Sequence, residues 1–314
     1  MIILGLCCIS NVLQSKKPSV KCRVIQRKYY TVERAIETAI ENLNDIYRLL
    51  KYAAENKIYS VRLPSEILPR YTDRQVENYD MEQFQPLFTK IGEFARHNNI
   101  RLSFHPDQFV VLSSLDPIIT QSSIDELEYQ CEMLFRMNVL PEFGVCNIHG
   151  GGVYGLSKDI VKRRWADNYA KLSDIAKMYL TIENDERSYS LQDCLDISSL
   201  CGVSVVYDSF HEECYRASVK HTETFRDLSE MLDDVIKTWD LHLNGETYNR
   251  IPMAHVSNQR EDERVGTHSD YITKFPDILL RYSEKVENLY VDVEAKNKDL
   301  AVFALRSRYP EIMI

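Results

Sequence analysis

The sequence predicts an α/β fold: a single (β/α)8 TIM barrel over residues 1–314, with a metal site at the C-terminal face. Three observations carry that expectation. Eight short apolar runs alternate with stretches of helical period, a pattern that gives parallel β/α units, and eight strands close a barrel. A length of 314 residues suits an α/β barrel of one domain. Six successive runs also place a histidine, aspartate or glutamate at or just past their C-terminal ends, the end where barrel enzymes build their active sites. A doubly wound open sheet is the competing architecture. No GxGxxG follows the first run, so a dinucleotide fold has no positive support.

The strands are expected at 2–6 (IILGL), 58–63 (IYSVRL), 100–104 (IRLSF), 144–148 (GVCNI), 178–182 (MYLTI), 203–207 (VSVVY), 251–256 (IPMAHV) and 289–293 (LYVDV). "MIILGLCCIS" has no basic start and no small-residue cleavage site before its cysteines, so it reads as the first strand rather than a targeting segment. The clearest helix is 31–56. Val32, Ile36, Ile40, Leu43, Ile46, Leu50 and Ala53 mark one face, and Thr31 is the N-cap candidate. Further helices are expected at 80–98, 122–138, 159–177, 190–201, 222–238 and 270–284. Pro106 ends the third strand by removing a backbone donor.

Composition is that of an ordinary globular protein, with 44% hydrophobic and 27% charged residues, and no run is apolar enough to span a bilayer. The eight cysteines show no CxxC spacing. Reduced thiols in an intracellular, non-secreted protein are expected, with no disulfides and no cysteine zinc site. The net charge of −9 argues against nucleic acid as a partner, but the charge is uneven. Residues 14–34 carry Lys16, Lys17, Lys21, Arg23, Arg27, Lys28 and Arg34 against the single Glu33, with Tyr29 and Tyr30 among them. Cations interleaved with aromatic rings suit a phosphate backbone and stacked bases. The segment also reads as a solvated loop.

The strand ends carry the chemistry. The third run is followed by His105, the fourth by His149, the fifth by Glu183 and the sixth by Asp208, with His211 just beyond. The seventh carries His255, and the eighth is followed by Glu294. Imidazoles and carboxylates converging on one rim suit divalent ions of the manganese, zinc or iron type rather than calcium. Glu183 and Glu294 can bridge ions or activate a water. His97, His221 and His242 read as surface residues. His268 follows the seventh strand by about a dozen residues, and spacing alone leaves it open between ligand and loop.

"SFHPDQFVVL" (103–112), "IHGGGVYG" (148–155), "TIENDERSYS" (181–190), "YDSFH" (207–211), "AHVSNQR" (254–260), "HSDYI" (268–272) and "VEAKNKDLAV" (293–302) together resemble the UV damage endonuclease family in content and order. "RLPSEILPR" (62–70) and "LGL" near the start extend the resemblance along nearly the whole chain. It implies a metal-dependent DNA repair barrel that binds two or three divalent ions, usually manganese, with magnesium, zinc or cobalt as alternatives. The substrate would be damaged double-stranded DNA, nicked immediately 5′ to pyrimidine dimers and other lesions to leave a 3′-hydroxyl and a 5′-phosphate. The implied metal ligands are His105, His149, Glu183, Asp208, His211, His255, His268 and Glu294, with Glu183, Glu294 and His255 catalytic. Gln108 and Phe109 would fill the gap left by the extruded lesion. Tyr154 and the cations Lys16, Lys17, Lys21, Arg23, Arg27 and Lys28 would contact DNA. The protein would act as a monomer in the cytoplasm or nucleus.

Departures from the family pattern are local. Met253 stands where the family has a lysine that joins the cluster once carboxylated, and a thioether cannot carry that group. "PRYTDRQ" lacks the family's histidine after the strand-2 proline, which makes Asp73 a substitute ligand candidate. Phe109 replaces a tyrosine, Leu6 a tyrosine that touches the lesion, and Asp107 a glycine. An abasic-site endonuclease or a sugar isomerase of the same barrel type is the alternative enzyme. A DNA-binding protein with a decayed site is the alternative outside enzymes.

Overall fold

The computed structural model describes residues 1–219 and 224–314; His221 and the start of the helix expected at 222–238 lie outside the described residues. The described residues form ten strands: β1 (Ile2–Cys7), β2 (Ser60–Arg62), β3 (Arg101–Phe104), β4 (Gly144–His149), β5 (Leu180–Glu183), β6 (Ser204–Asp208), β7 (Asp240–Leu243), β8 (Glu246–Asn249), β9 (Met253–Val256) and β10 (Leu289–Val293). Eight of them close a parallel barrel in the order β1-β10-β9-β6-β5-β4-β3-β2, while β7 and β8 pair as an antiparallel hairpin outside it. The eight expected strands are therefore the eight of the barrel, with β9 and β10 in the seventh and eighth places.

Both faces of each barrel strand are buried, which is why the strands read as apolar runs rather than strict alternations. Outward residues such as Leu102, Phe104, Val205 and Val291 join the core beneath the helices. The interior is polar and layered. Arg101 and Tyr290 lie towards the N-terminal end, where the guanidinium sits 4.7 Å from the ring centroid. Ser60 donates to Asp292 at 3.3 Å, and Thr181 donates to Asn147 at 2.7 Å. Gly5 faces the same layer, where a Cβ would lie 2.0 Å from Asp292 Oδ1. That position has no room for a side chain.

The helices follow the expected alternation, with shifted boundaries. Thr31 does cap the Val32–Glu55 helix, accepting from Arg34 N at 3.2 Å. The buried stripe is rotated, however: Ile40 is 41% exposed, while Ala35, Ala39 and Asn42 face inward. Small residues let the helix approach closely, and Asn42 bonds the backbone of Arg23 and Ile67, which ties down the basic loop. The helix expected at 122–138 begins at Pro117, where Asp116 accepts from Ile118 N and proline occupies the first turn. The helix expected at 159–177 is two, Lys158–Tyr169 and Asp174–Tyr179, because Ser173 caps a new start. β5 consequently begins at Leu180 rather than 178. The helix expected at 270–284 is confined to Asp277–Lys285. The helices Asn11–Ser15, Ser209–Val219 and Lys298–Arg308 and the β7–β8 hairpin lie outside the predicted elements.

Candidate metal centre

The C-terminal ends of six barrel strands converge on Glu183. Its Oε2 lies 3.1 Å from His105 Nε2 and 3.7 Å from His149 Nε2. Its Oε1 lies 3.0 Å from His255 Nδ1 and 3.5 Å from His211 Nδ1. Asn147 Nδ2 also donates to Oε2 and is itself oriented by Thr181. Glu294 extends the cluster, 3.6 Å from His255 Nδ1 through Oε1 and 3.7 Å from His268 Nδ1 through Oε2. The structure thus brings together all eight side chains singled out as ligand candidates. His268, undecided by spacing, is drawn to the rim by an antiparallel bridge between its residue and Gln259.

Asp208 sits at the start of the Ser209–Val219 helix. Its Oδ1 accepts from the backbone of Phe210 and His211, each at 2.7 Å, while the buried Oδ2 has no hydrogen-bond partner among the described residues and lies 3.6 Å from His211 Nδ1. A buried carboxylate oxygen without a donor is costly unless a cation meets it. Three sets of side chains could each hold an ion, with their ligand atoms within 4.8 Å of one another: His105, Glu183 and His255; His149, Glu183 and His211; Asp208, His255 and Glu294. The donors are imidazole nitrogens and carboxylate oxygens, a set that suits transition ions. All eight cysteines are free, and burial pushes the Cys7 and Cys8 thiols up, so neither offers a thiolate at neutral pH.

Electrostatics prepares these groups for a cation. Burial works against ionisation of Glu183, yet the imidazoles of His255, His149, His105 and His211 outweigh it and hold the carboxyl well below its usual range. Burial lowers His149 to about 4, against the pull of Glu183. Glu294 is buried too, but the Arg62 guanidinium keeps it ionised far below the ordinary carboxylate value. Burial raises Asp208, against the pull of His211.

Arg62 is the site residue that sequence reasoning missed. From β2 it donates Nε to Asp292 at 3.0 Å and Nη1 to Glu294 at 2.5 Å, and Nη2 lies 3.0 Å from His255 Nε2. A charged residue between apolar neighbours in a barrel strand was the available signal, since a buried charge needs a partner. Asp292, two residues before Glu294, carried the same signal.

Of the other candidates, Gln108, Phe109, Tyr154 and Arg27 line, together with His149, a cleft of about 980 Å³ beside the cluster, whereas Lys16, Lys17, Lys21, Arg23 and Lys28 do not line it. Phe109 is 76% exposed at the tip of a turn closed by Val110 N donating to Asp107 O. Tyr154, at φ 52°, stands half exposed among the glycines after β4; Gly151, at φ 90°, packs on Val111 and Ser113. The basic loop is partly spent on its own protein. Arg23 pairs with Glu41 and Asp45, Arg27 pairs with Asp73 at 3.0 Å, and Lys28 lies over the Tyr29 ring. Lys16, Lys17 and Lys21 are exposed. Asp73 is thus an ion-pair partner of Arg27 and Arg70, apart from the three ligand sets. Leu6 is fully buried and presents nothing to the cleft.

Comparison with known proteins agrees with this geometry. The family described as UV-endonuclease UvdE matches residues 2–313. A UV DNA damage endonuclease of Clostridium perfringens is 32% identical, over 92% of this chain and 67% of that protein. One from Bacillus mycoides is 31% identical, over 89% of this chain and 84% of its own. The crystal structure of SacUVDE superposes with a TM-score of 0.81 at 25% identity, covering 98% of this chain and 99% of that one. A D-tagatose 3-epimerase-like protein, at 12% identity and a TM-score of 0.57, shares the fold. Matched by the family over nearly its full length and by relatives above 30% identity, the chain belongs to the UV-endonuclease UvdE family.

Proposed function

We propose that this protein is a DNA repair endonuclease that nicks damaged double-stranded DNA immediately 5′ to UV photoproducts, by hydrolysis that leaves a 3′-hydroxyl and a 5′-phosphate. The observation that carries the reading is the convergence of two metal-competent sets on Glu183, with a third set formed by Asp208, His255 and Glu294, beside a cleft that exposes Phe109. A phosphodiester resists attack because its anion repels nucleophiles. Divalent ions, manganese foremost and magnesium, zinc or cobalt as substitutes, would neutralise that charge and make water a nucleophile at neutral pH.

The chain's own residues do the rest. His105, His149, Glu183, Asp208, His211, His255, His268 and Glu294 act as the metal ligands. Strand ends fix six of these donors, the Ser209–Val219 helix fixes His211 and the pairing with Gln259 places His268 before substrate arrives, so little reorganisation remains at the moment of reaction. Glu183, with both oxygens engaged, links two of the sets. His255 and Glu294 orient the third. Gln108 and Phe109 enter the duplex where a dimer is already poorly stacked, which favours damaged over intact steps. Tyr154, Arg27, Lys28 and the exposed Lys16, Lys17 and Lys21 meet the flanking strands, and Arg23 does so only at the expense of its ion pairs. Residues 1–314 work as one catalytic unit and as a monomer, inside the cell, in the cytoplasm or nucleus. The free thiols suit such a compartment.

The test is substrate choice. Manganese-loaded protein is incubated with UV-irradiated plasmid, intact plasmid, an abasic duplex and free pentoses. Nicking of irradiated plasmid well above intact plasmid is expected. Cleavage of the abasic duplex alone, or turnover of a pentose, would replace this reading with one of the other barrel activities.

A further inference from the structure

We propose that the N-terminal floor of the barrel is an anion site, where a buried chloride seated on Arg101 supplies the counter-charge that no carboxylate among the described residues supplies. The site lies at the opposite end of the barrel from the metal cluster and does not depend on the nicking reading.

Arg101 enters the floor from the start of β3 and Arg250 from just before β9, and both are buried, at 0% and 4% exposure. Their guanidinium groups lie 5.6 Å and 5.2 Å from the Trp239 ring centroid, and that of Arg101 lies 4.7 Å from the Tyr290 centroid. Aromatic faces attract a cation, yet they give its N–H groups no lone pair to bond. The two arginines differ in what else they meet. Arg250 gives Nη1 to Leu180 O and Ser204 Oγ and Nη2 to the carbonyls of Gly144 and Tyr179, so Nε alone lacks a partner among the described residues. Arg101 has no acceptor among them at Nε, Nη1 or Nη2. A buried fork of donors with permanent charge and nothing to receive it is what an anion site requires.

Charge points the same way. Asp292 is the carboxylate whose field reaches Arg101, and it is already held by Arg62 at 3.0 Å and by Ser60 at 3.3 Å. Arg250 meets Arg101 as a like charge, which adds to burial in lowering its pKa. A water in this place would accept from the N–H groups but leave the charge unmet, and an uncompensated buried charge is costly. The enclosure sets the class of ligand. Trp239, Tyr282 and Tyr290 are at most 3% exposed, which closes the floor to bulky oxyanions and favours a small ion. One monovalent anion matches the single charge of Arg101, while the acceptors around Arg250 serve the other guanidinium.

Halide dependence tests this. The whole chain is melted at constant ionic strength while sodium chloride replaces sodium gluconate, whose anion is too large for the enclosure. The Tm of wild type is expected to rise by a few degrees and then level off, as mass action at one site requires. Arg101→Met, with no charge left to meet, is expected to melt at one temperature in both salts. A second measurement needs no variant. Protein purified and crystallised in sodium bromide should show an anomalous bromide peak within hydrogen-bond distance of the Arg101 guanidinium. A wild-type Tm that ignores chloride, an equal chloride response in Arg101→Met, or water alone at Arg101 in the bromide-grown crystal would overturn the inference. If Arg101→Met does not fold, as judged by circular dichroism, the bromide peak in wild type decides.

Discussion

Two ends of one barrel bury charge in opposite ways. At the C-terminal end, the lone pairs of Glu183, Asp208, Glu294 and the rim histidines converge within a few ångströms, and Asp208 Oδ2 has no donor among the described residues. At the N-terminal end the buried charges are two arginines. Arg101 packs its guanidinium over Tyr290 and Trp239, and none of its three side-chain nitrogens has a hydrogen-bond partner among the described residues. Arg250 donates to the carbonyls of Gly144, Tyr179 and Leu180 and so ties down the starts of β4 and β5. Burial lowers Arg101 to about 10 and Arg250 to about 9, which leaves both charged at neutral pH. Perturbed ionisation therefore occurs at both ends. What separates the functional end is convergence: acceptors aimed at shared points, beside an open cleft.

The sharpest way to break this contrast is to remove the hub of the rim. Glu183→Gln keeps the shape and loses the charge that links two ligand sets. Nicking of irradiated DNA is expected to fall by at least about 10³-fold, the scale of losing preorganised electrostatic stabilisation. Binding of a damaged duplex, measured by gel shift, should stay within a few-fold of wild type. Nicking that survives in this variant would mean the rim is not the catalytic centre.

Phe109→Ala tests the cleft beside the rim. One lost stacking contact is worth about 1–3 kcal/mol, so the preference for damaged over intact duplex should fall roughly tenfold, at about 1.4 kcal/mol per decade. Bound manganese should be unchanged, because Phe109 is outside every ligand set. An undiminished preference would move lesion recognition elsewhere, with Tyr154 next in line.

The smallest effect belongs at the other end. Arg101→Met replaces an unpaired buried cation with an apolar chain of similar length. Replacing buried charge with hydrophobic volume is often neutral or stabilising by about 1–4 kcal/mol. Thermal melting should hold or rise by a few degrees, and nicking should not change. A marked loss of stability would show that the stacking on Tyr290 and Trp239 matters more than the missing hydrogen bonds.

The same contrast explains what the sequence could and could not disclose. The eight barrel strands were legible because burial on both faces gives continuous apolar runs. The rim was legible because His105, His149, Glu183 and Asp208 sit at the ends of those runs. His268 was legible only through the resemblance carried by "HSDYI", because its place depends on a loop pairing with Gln259 that no periodicity announces. Arg62, Asp292 and Arg101 lie inside strands, where the apolar pattern hides single charges, and only the register across β2, β3, β9 and β10 shows which of them meet. The helix Ser209–Val219 escaped because it begins within the "YDSFH" motif, where residues chosen for chemistry mask the helical period. The Ile40 misplacement has a plainer cause. A stripe of alanines allows closer approach than a stripe of isoleucines, so the helix turns its small side inward.

The central claim, that the rim is a metal-dependent nicking centre for UV-damaged DNA, is tested most directly by stripping and restoring the metal. Protein dialysed against a chelator is offered irradiated and intact plasmid, first without added metal and then with manganese. The predicted result is no nicking by the stripped protein, with cleavage of the irradiated plasmid alone returning on manganese addition. Equal nicking before and after restoration, or equal nicking of both plasmids, would contradict it.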